Sequence, residues 1–200
     1  MSEDLVSIKR NGKNFKIHPL EHFEKIQKEV LEWILEKDLY REWIIDNNRF
    51  HKSNTCEMPL SELEFLPYTK EAVNKFGNPT RLTYWITRGE DTLPCHVDGG
   101  FDHFWIPRSR FLIPVVNYLG TKTIFYSKNV KLENFNDTGG VSYLRPTDPS
   151  QLKEVERFEV DQPIWIRIDN PHTVTNPNKN IRIAFTVIYP HDVQIKHLPI

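Results

Sequence analysis

Two hundred residues with 26 Lys and Arg against 27 Asp and Glu, and a pI near 6.7, exclude the whole-surface positive field that duplex nucleic acid or an anionic membrane selects. The length suits one domain with a real core, and 12 Phe, 7 Tyr and 5 Trp give that core its bulk. Two cysteines, Cys56 and Cys95, are too few for a disulfide framework or a CxxC zinc knuckle, and no stretch has the length of a membrane span or the apolar run of a secretory leader. A cytoplasmic protein is the expectation.

In chain order, residues 6–10 and 13–17 flank Asn11-Gly12, the pair that best accepts two positive φ angles, and read as a hairpin. Phe23, Ile26, Val30, Trp33 and Ile34 recur at spacings of three and four, which predicts an amphipathic helix over residues 19–37. A shorter helix is expected over 69–77, with Thr69 as its N-cap and Gly77 as its stop. From Thr80 the texture turns to β. RLTYWIT, RFLIPVVNY, TKTIFYS, RFEV, PIWIRID, HTVTN and RIAFTVIY are short, rich in β-branched and aromatic residues, and punctuated by Gly, Pro, Asn and Asp. No amphipathic helix interrupts them, which argues against a Rossmann-type alternation and for a sandwich or barrel with helices on one side. The expected class is therefore mainly β with flanking α, in one domain over 1–200. Residues 1–79 would give the N-terminal hairpin and helical support, and 80–190 the core. The polar stretch 128–154, with Gly139-Gly140 and Pro146, reads as a lid or binding loop, or equally as a surface excursion.

One motif carries chemistry: Leu93-Pro94-Cys95-His96-Val97-Asp98-Gly99-Gly100. Side chains alternate along a strand, so His96 and Asp98 share a face while Cys95 and Val97 point away. An imidazole and a carboxylate so placed can bind one metal together, and His172 in Asp169-Asn170-Pro171-His172 is the best third ligand. Two His and one carboxylate leave three metal positions open. His-x-Asp alone is common by chance in a chain with 8 His, and a lone His is more often a plain hydrogen-bonded group. Arg182 strengthens the case. It lies inside the apolar strand that ends the β region, on one face with Ala184 and Thr186. A buried guanidinium there demands an anion, whereas an edge strand would leave it in solvent.

His96, Asp98, His172 and Arg182 together resemble, in order, type and spacing, the 2-oxoglutarate/Fe(II) dioxygenase superfamily, over about residues 80–190. The resemblance implies a double-stranded β-helix, the cupin-like jelly roll, with N-terminal helices. It implies Fe(II) on His96, Asp98 and His172 as the catalytic centre, and 2-oxoglutarate with its distal carboxylate on Arg182. It implies hydroxylation with release of succinate and CO2. Many members carry a Ser two residues after the Arg, where this chain has Ala184; strand parity offers the hydroxyls of Tyr84, Thr123 or Thr186 instead. Asp98 sets the chain apart from the halogenating branch. The loop after the motif would line the mouth, with Phe101 and Trp105 stacking on a substrate and Arg108 or Arg110 taking a carboxylate or phosphate. Each reads as readily as part of a packed loop. Near-neutral charge favours a small molecule, an amino acid or a peptide as substrate, without closing off a single-stranded or flipped base. Two other classes stay open: a cupin-like metalloenzyme that does not use 2-oxoglutarate, and a catalytically silent module that binds a ligand or a partner protein.

Overall fold

Period-two alternation decides which side of each strand meets helices and which meets the interior. The computed structural model describes residues 12–37, 53–98, 109–136 and 142–198. In chain order the elements are β1 (Phe15–Ile17), α1 (Phe23–Glu36), β2 (Ser53–Met58), a 3-10 turn (Leu60–Phe65) and α2 (Pro67–Asn74). The β region then runs β3 (Arg81–Thr87), β4 (Asp91–Thr92), β5 (Val97–Asp98), β6 (Ser109–Val116), β7 (Lys122–Tyr126), β8 (Leu132–Asn136) and β9 (Ser142–Pro146). It closes with β10 (Glu154–Glu159), β11 (Ile164–Arg167), β12 (His172–Asn176) and β13 (Arg182–Ile188), followed by α3 (His191–His197).

Six strands pair in the order β1-β11-β6-β13-β3-β2, and four in the order β10-β7-β12-β4. Their pairings are antiparallel throughout. Both sheets contribute walls to one cavity, the larger through β3, β6, β11 and β13 and the smaller through β7 and β12. This is the double-stranded β-helix expected from the sequence. On the outer face of the larger sheet, Leu82, Tyr84 and Ile86 of β3, Phe111 and Ile113 of β6, and Ile183, Phe185 and Val187 of β13 are buried against Ile26, Val30, Trp33 and Ile34 of α1. Each such side chain is worth roughly 1.5–3 kcal/mol when taken out of water, so this face anchors the helices and leaves the other parity for the cavity. Among the described residues no helix is long and apolar enough to cross a membrane.

Several local expectations change. The first helix begins at Phe23 rather than near Pro19, after His22 in a left-handed conformation. The second begins at Pro67, so Thr69 is inside it and not its cap. The cap comes from a distance: Glu29 of α1 accepts hydrogen bonds from the Tyr68 and Thr69 amides at 3.1 and 2.8 Å and from the Thr69 hydroxyl at 2.8 Å. A carboxylate at a helix N-terminus answers both the free amides and the dipole. Gly77 follows the helix at φ 116°, as expected of a stop. Residues 6–10 of the expected hairpin lie outside the described residues. Asn11 of the expected turn lies outside them too; a Cβ on Gly12 would lie 1.8 Å from Oε1 of Glu156, so close approach accounts for the glycine. The described parts of the 128–154 stretch are not all loop. They hold β8 and β9, which form a three-stranded sheet with β5, placing Tyr143 opposite Asp98 and Leu144 opposite Val97.

Candidate metal centre

β5 and β12 meet where the first motif needs them. His96 and His172 form an antiparallel bridge in which each amide donates to the other's carbonyl at 2.9 Å. This puts two imidazoles from distant parts of the chain side by side, with ring centroids 4.5 Å apart. Asp98 follows on the same face, its Oδ1 3.4 Å from His96 Nε2. Donor atoms of His96, Asp98 and His172 all lie within 4.8 Å of one another, so the three could hold a metal ion. The sequence reading brought these residues together, and the structure does so as well.

The rings are aimed from behind. His96 Nδ1 donates to the Pro94 carbonyl at 2.7 Å and His172 Nδ1 to the Asn170 carbonyl at 2.9 Å, which leaves the Nε2 atoms for the site, that of His96 3.4 Å from Asp98 Oδ1. A backbone acceptor on the far nitrogen is how proteins fix the tautomer of a ligating imidazole. Burial, then the neighbouring His96, lower His172 to about 4, so it stands neutral and able to ligate. Burial would lower His96 too, but the hydrogen bond and charge of Asp98 outweigh it and raise the imidazole. Burial would raise Asp98; the Arg110 guanidinium and the His96 contact instead hold its carboxyl far below the usual carboxylate range. Cys95 and Val97 face away, and burial pushes the Cys95 thiol up to about 12, out of reach of nucleophilic or ligand duty at neutral pH.

A second layer holds the loop before His172. Asn170 and Asn14 are both buried, and the Asn170 amide donates to the Asn14 side-chain oxygen. Asn14 in turn donates to Glu156 Oε2 through its side chain at 2.7 Å and its backbone at 2.9 Å, and its carbonyl accepts from the Arg167 amide at 2.8 Å. The segment entering β1 thus braces the turn that carries the Asn170 carbonyl. Asn14→Ala is expected to weaken Co(II) binding about tenfold, the scale on which losing an outer partner acts, with restoration by Asn14→Gln incomplete. Unchanged affinity in a Co(II) titration would mean that the turn holds itself.

The cavity spans about 550 Å³ of space between the atoms, open solvent at its mouth included. Its walls are mostly apolar, with Trp85, Leu93, Leu112, Ile166, Ile168 and Val174 around the three metal-binding candidates. Arg182 enters from β13 with Ala184 and Thr186 on its face, as strand parity predicted. The guanidinium is 3% exposed, and its Nε finds no hydrogen-bond partner. Burial alone lowers it to about 10, with no carboxylate among the described residues acting against that. Thr123 lines the same cavity from β7, and Thr186 does so while sharing a 2.5 Å contact with the Thr83 hydroxyl.

Tyr84 does not join them. It is fully buried on the helix side of β3, packed edge-on to Trp33 with ring centroids 6.0 Å apart. The register of β3 puts Trp85 and Thr87 on the cavity side, with Thr87 directly opposite Arg182. Thr87 is the hydroxyl the sequence reading missed; pairing the two strands tail to tail would have found it. Arg110 lines the cavity, 3.3 Å from Asp98 Oδ2. Phe101, Trp105 and Arg108 lie outside the described residues.

Fold and site together define a double-stranded β-helix with a His-Asp-His cluster at its core. No protein-family model matches the chain, and no curated protein matches it. Among solved structures, it is similar to a prolyl hydroxylase from Trichoplax adhaerens in complex with a peptide fragment of the hypoxia inducible factor oxygen degradation domain. That match has a TM-score of 0.52 at 13% identity, covering 94% of this chain and 89% of the other. Fainter likenesses are to a Pseudomonas putida prolyl-4-hydroxylase, at TM-score 0.47, 11% identity and 88% and 93% coverage, and to a non-heme monooxygenase, at 0.44, 12%, 88% and 73%. The first of these establishes the shared fold.

Proposed function

We propose that this protein is an Fe(II)- and 2-oxoglutarate-dependent oxygenase that hydroxylates a small molecule, an amino acid or a peptide side chain. The observation that carries the reading is Arg182. An uncompensated buried cation is costly, and proteins retain one where a ligand supplies the missing charge. Here it shares a cavity with a cluster whose donor set, two imidazoles and a carboxylate, suits iron and leaves three positions open. Iron with 2-oxoglutarate would supply the oxidising power, consuming O2 and releasing succinate and CO2.

The chain's own residues do the holding and excluding. His96, Asp98 and His172 would grip the metal from one side, their tautomers set by Pro94 and Asn170. Arg182 would receive the distal carboxylate of the cosubstrate, with the Thr87, Thr123 and Thr186 side chains on the same walls in place of the serine that many relatives of this type use. The apolar walls keep water out, which strengthens that ion pair and positions the reactants. Anaerobic titration of the purified protein with Fe(II) and then 2-oxoglutarate tests the assignment. A weak visible charge-transfer band saturating at one equivalent of each is expected. Metal uptake with no band and no cosubstrate binding would refute it.

A further inference from the structure

Arg110 is a second guanidinium in the cavity and is not accounted for by the cosubstrate. It is the second residue of β6 and is more open than Arg182: its side chain keeps 18% exposure. Among the described residues it meets Asp98 Oδ2 at 3.3 Å and the face of Trp85, 5.7 Å from the ring centroid, while its Nε is buried without a hydrogen-bond partner there. Its charge acts on His96, Asp98 and His172 alike, whereas that of Arg182 registers on none of them. Arg110 is thus beside the metal position, and Arg182 stands off from it.

Charge balance then points beyond 2-oxoglutarate. A divalent metal and two guanidiniums bring four positive charges, Asp98 removes one, and a dianionic cosubstrate removes two. One positive charge remains, in a pocket whose other walls carry no charge among the described residues. Leaving it unpaired is unfavourable, and a planar guanidinium backed by an indole face is well made for a carboxylate.

Resting on the oxygenase reading, we propose that the prime substrate is a carboxylic acid whose carboxylate docks on Arg110 beside Trp85, with the carbon to be oxidised held over the metal. The carboxylate could be a free α-carboxylate or an acidic side chain within a peptide, and the test separates the two.

The protein is loaded with Zn(II) and N-oxalylglycine, a non-reacting stand-in for the cosubstrate, and titrated calorimetrically. One arm uses the set of N-acetyl amino acids against their amides. The other uses amidated N-acetyl Asp and Glu against amidated Asn and Gln. At least one acid should bind about tenfold or more tightly than its neutral partner, and Arg110→Gln should erase that preference while N-oxalylglycine affinity stays within about twofold. A preference in the first arm alone identifies a free acid, and in the second a peptide. Arg110→Lys should recover part of the preference, since charge returns without the planar fork. The proposal is overturned if no acid outbinds its neutral partner, if Arg110→Gln keeps the preference, or if the substitution weakens N-oxalylglycine as strongly as the acid. Loss of N-oxalylglycine binding by the wild type would instead refute the oxygenase reading itself.

Discussion

Arg182→Met will abolish useful 2-oxoglutarate binding and leave the metal-free protein at least as stable as the wild type. The first effect follows from removing a desolvated charge partner, a loss of about 2–5 kcal/mol, or roughly thirty- to several-thousand-fold in affinity. The second follows from burial without a counter-charge: the folded protein holds a cation that the unfolded chain would hydrate, and Met fills similar space with no charge. Burial lowers the folded guanidinium's pKa, so the wild type carries the cost of that charge at neutral pH and the mutant does not. Denaturant melts at pH 8, beside anaerobic 2-oxoglutarate titrations, check both parts. A marked loss of stability at pH 8 would mean that Arg182 has a protein partner and is structural.

His172→Ala and Asp98→Ala should each lose tight metal binding, by more than the about 10–100-fold that an outer partner costs. One equivalent of divalent metal per wild-type chain is expected, measured by equilibrium dialysis with Fe(II) under anaerobic conditions. His22→Ala and His191→Ala should keep it, since neither belongs to the cluster of donors within 4.8 Å. Asp98→Ala also strips Arg110 of its ion pair, so that variant should show the larger drop in melting temperature of the two. Full stoichiometry in His172→Ala would dismantle the centre as assigned.

What could be read from the residues alone follows the reach of each rule. Alternation along a strand is local, so it placed His96 with Asp98, and Arg182 with Ala184 and Thr186, without any partner strand. It failed at Tyr84 because the facing of β3 is set by its register with β13, and a one-residue slip exchanges Tyr84 for Trp85. The helix α1 was legible from its repeating apolar positions, whereas the cap of α2 was not, since Glu29 reaches it across 40 residues. The 128–154 stretch looked like a loop because β8 and β9 are polar strands whose order comes from pairing with β5. Asn14 carried no signal at all: its role rests on contacts to Glu156 and Asn170, on the far side of the chain.

The place of β13 in the larger sheet bears on how the protein is made. That strand lies between β6 and β3, so the sheet has no continuous centre until residues 182–188 arrive. β1 likewise waits for β11, about 150 positions later. Such sequence-distant pairing slows folding, since long loops must close before any contact rewards them. On the ribosome, His96 and Asp98 emerge long before His172, so the three-residue cluster stays incomplete in the interval. The candidate metal pocket is therefore among the last features to form, completed only once the barrel around it is ready to close.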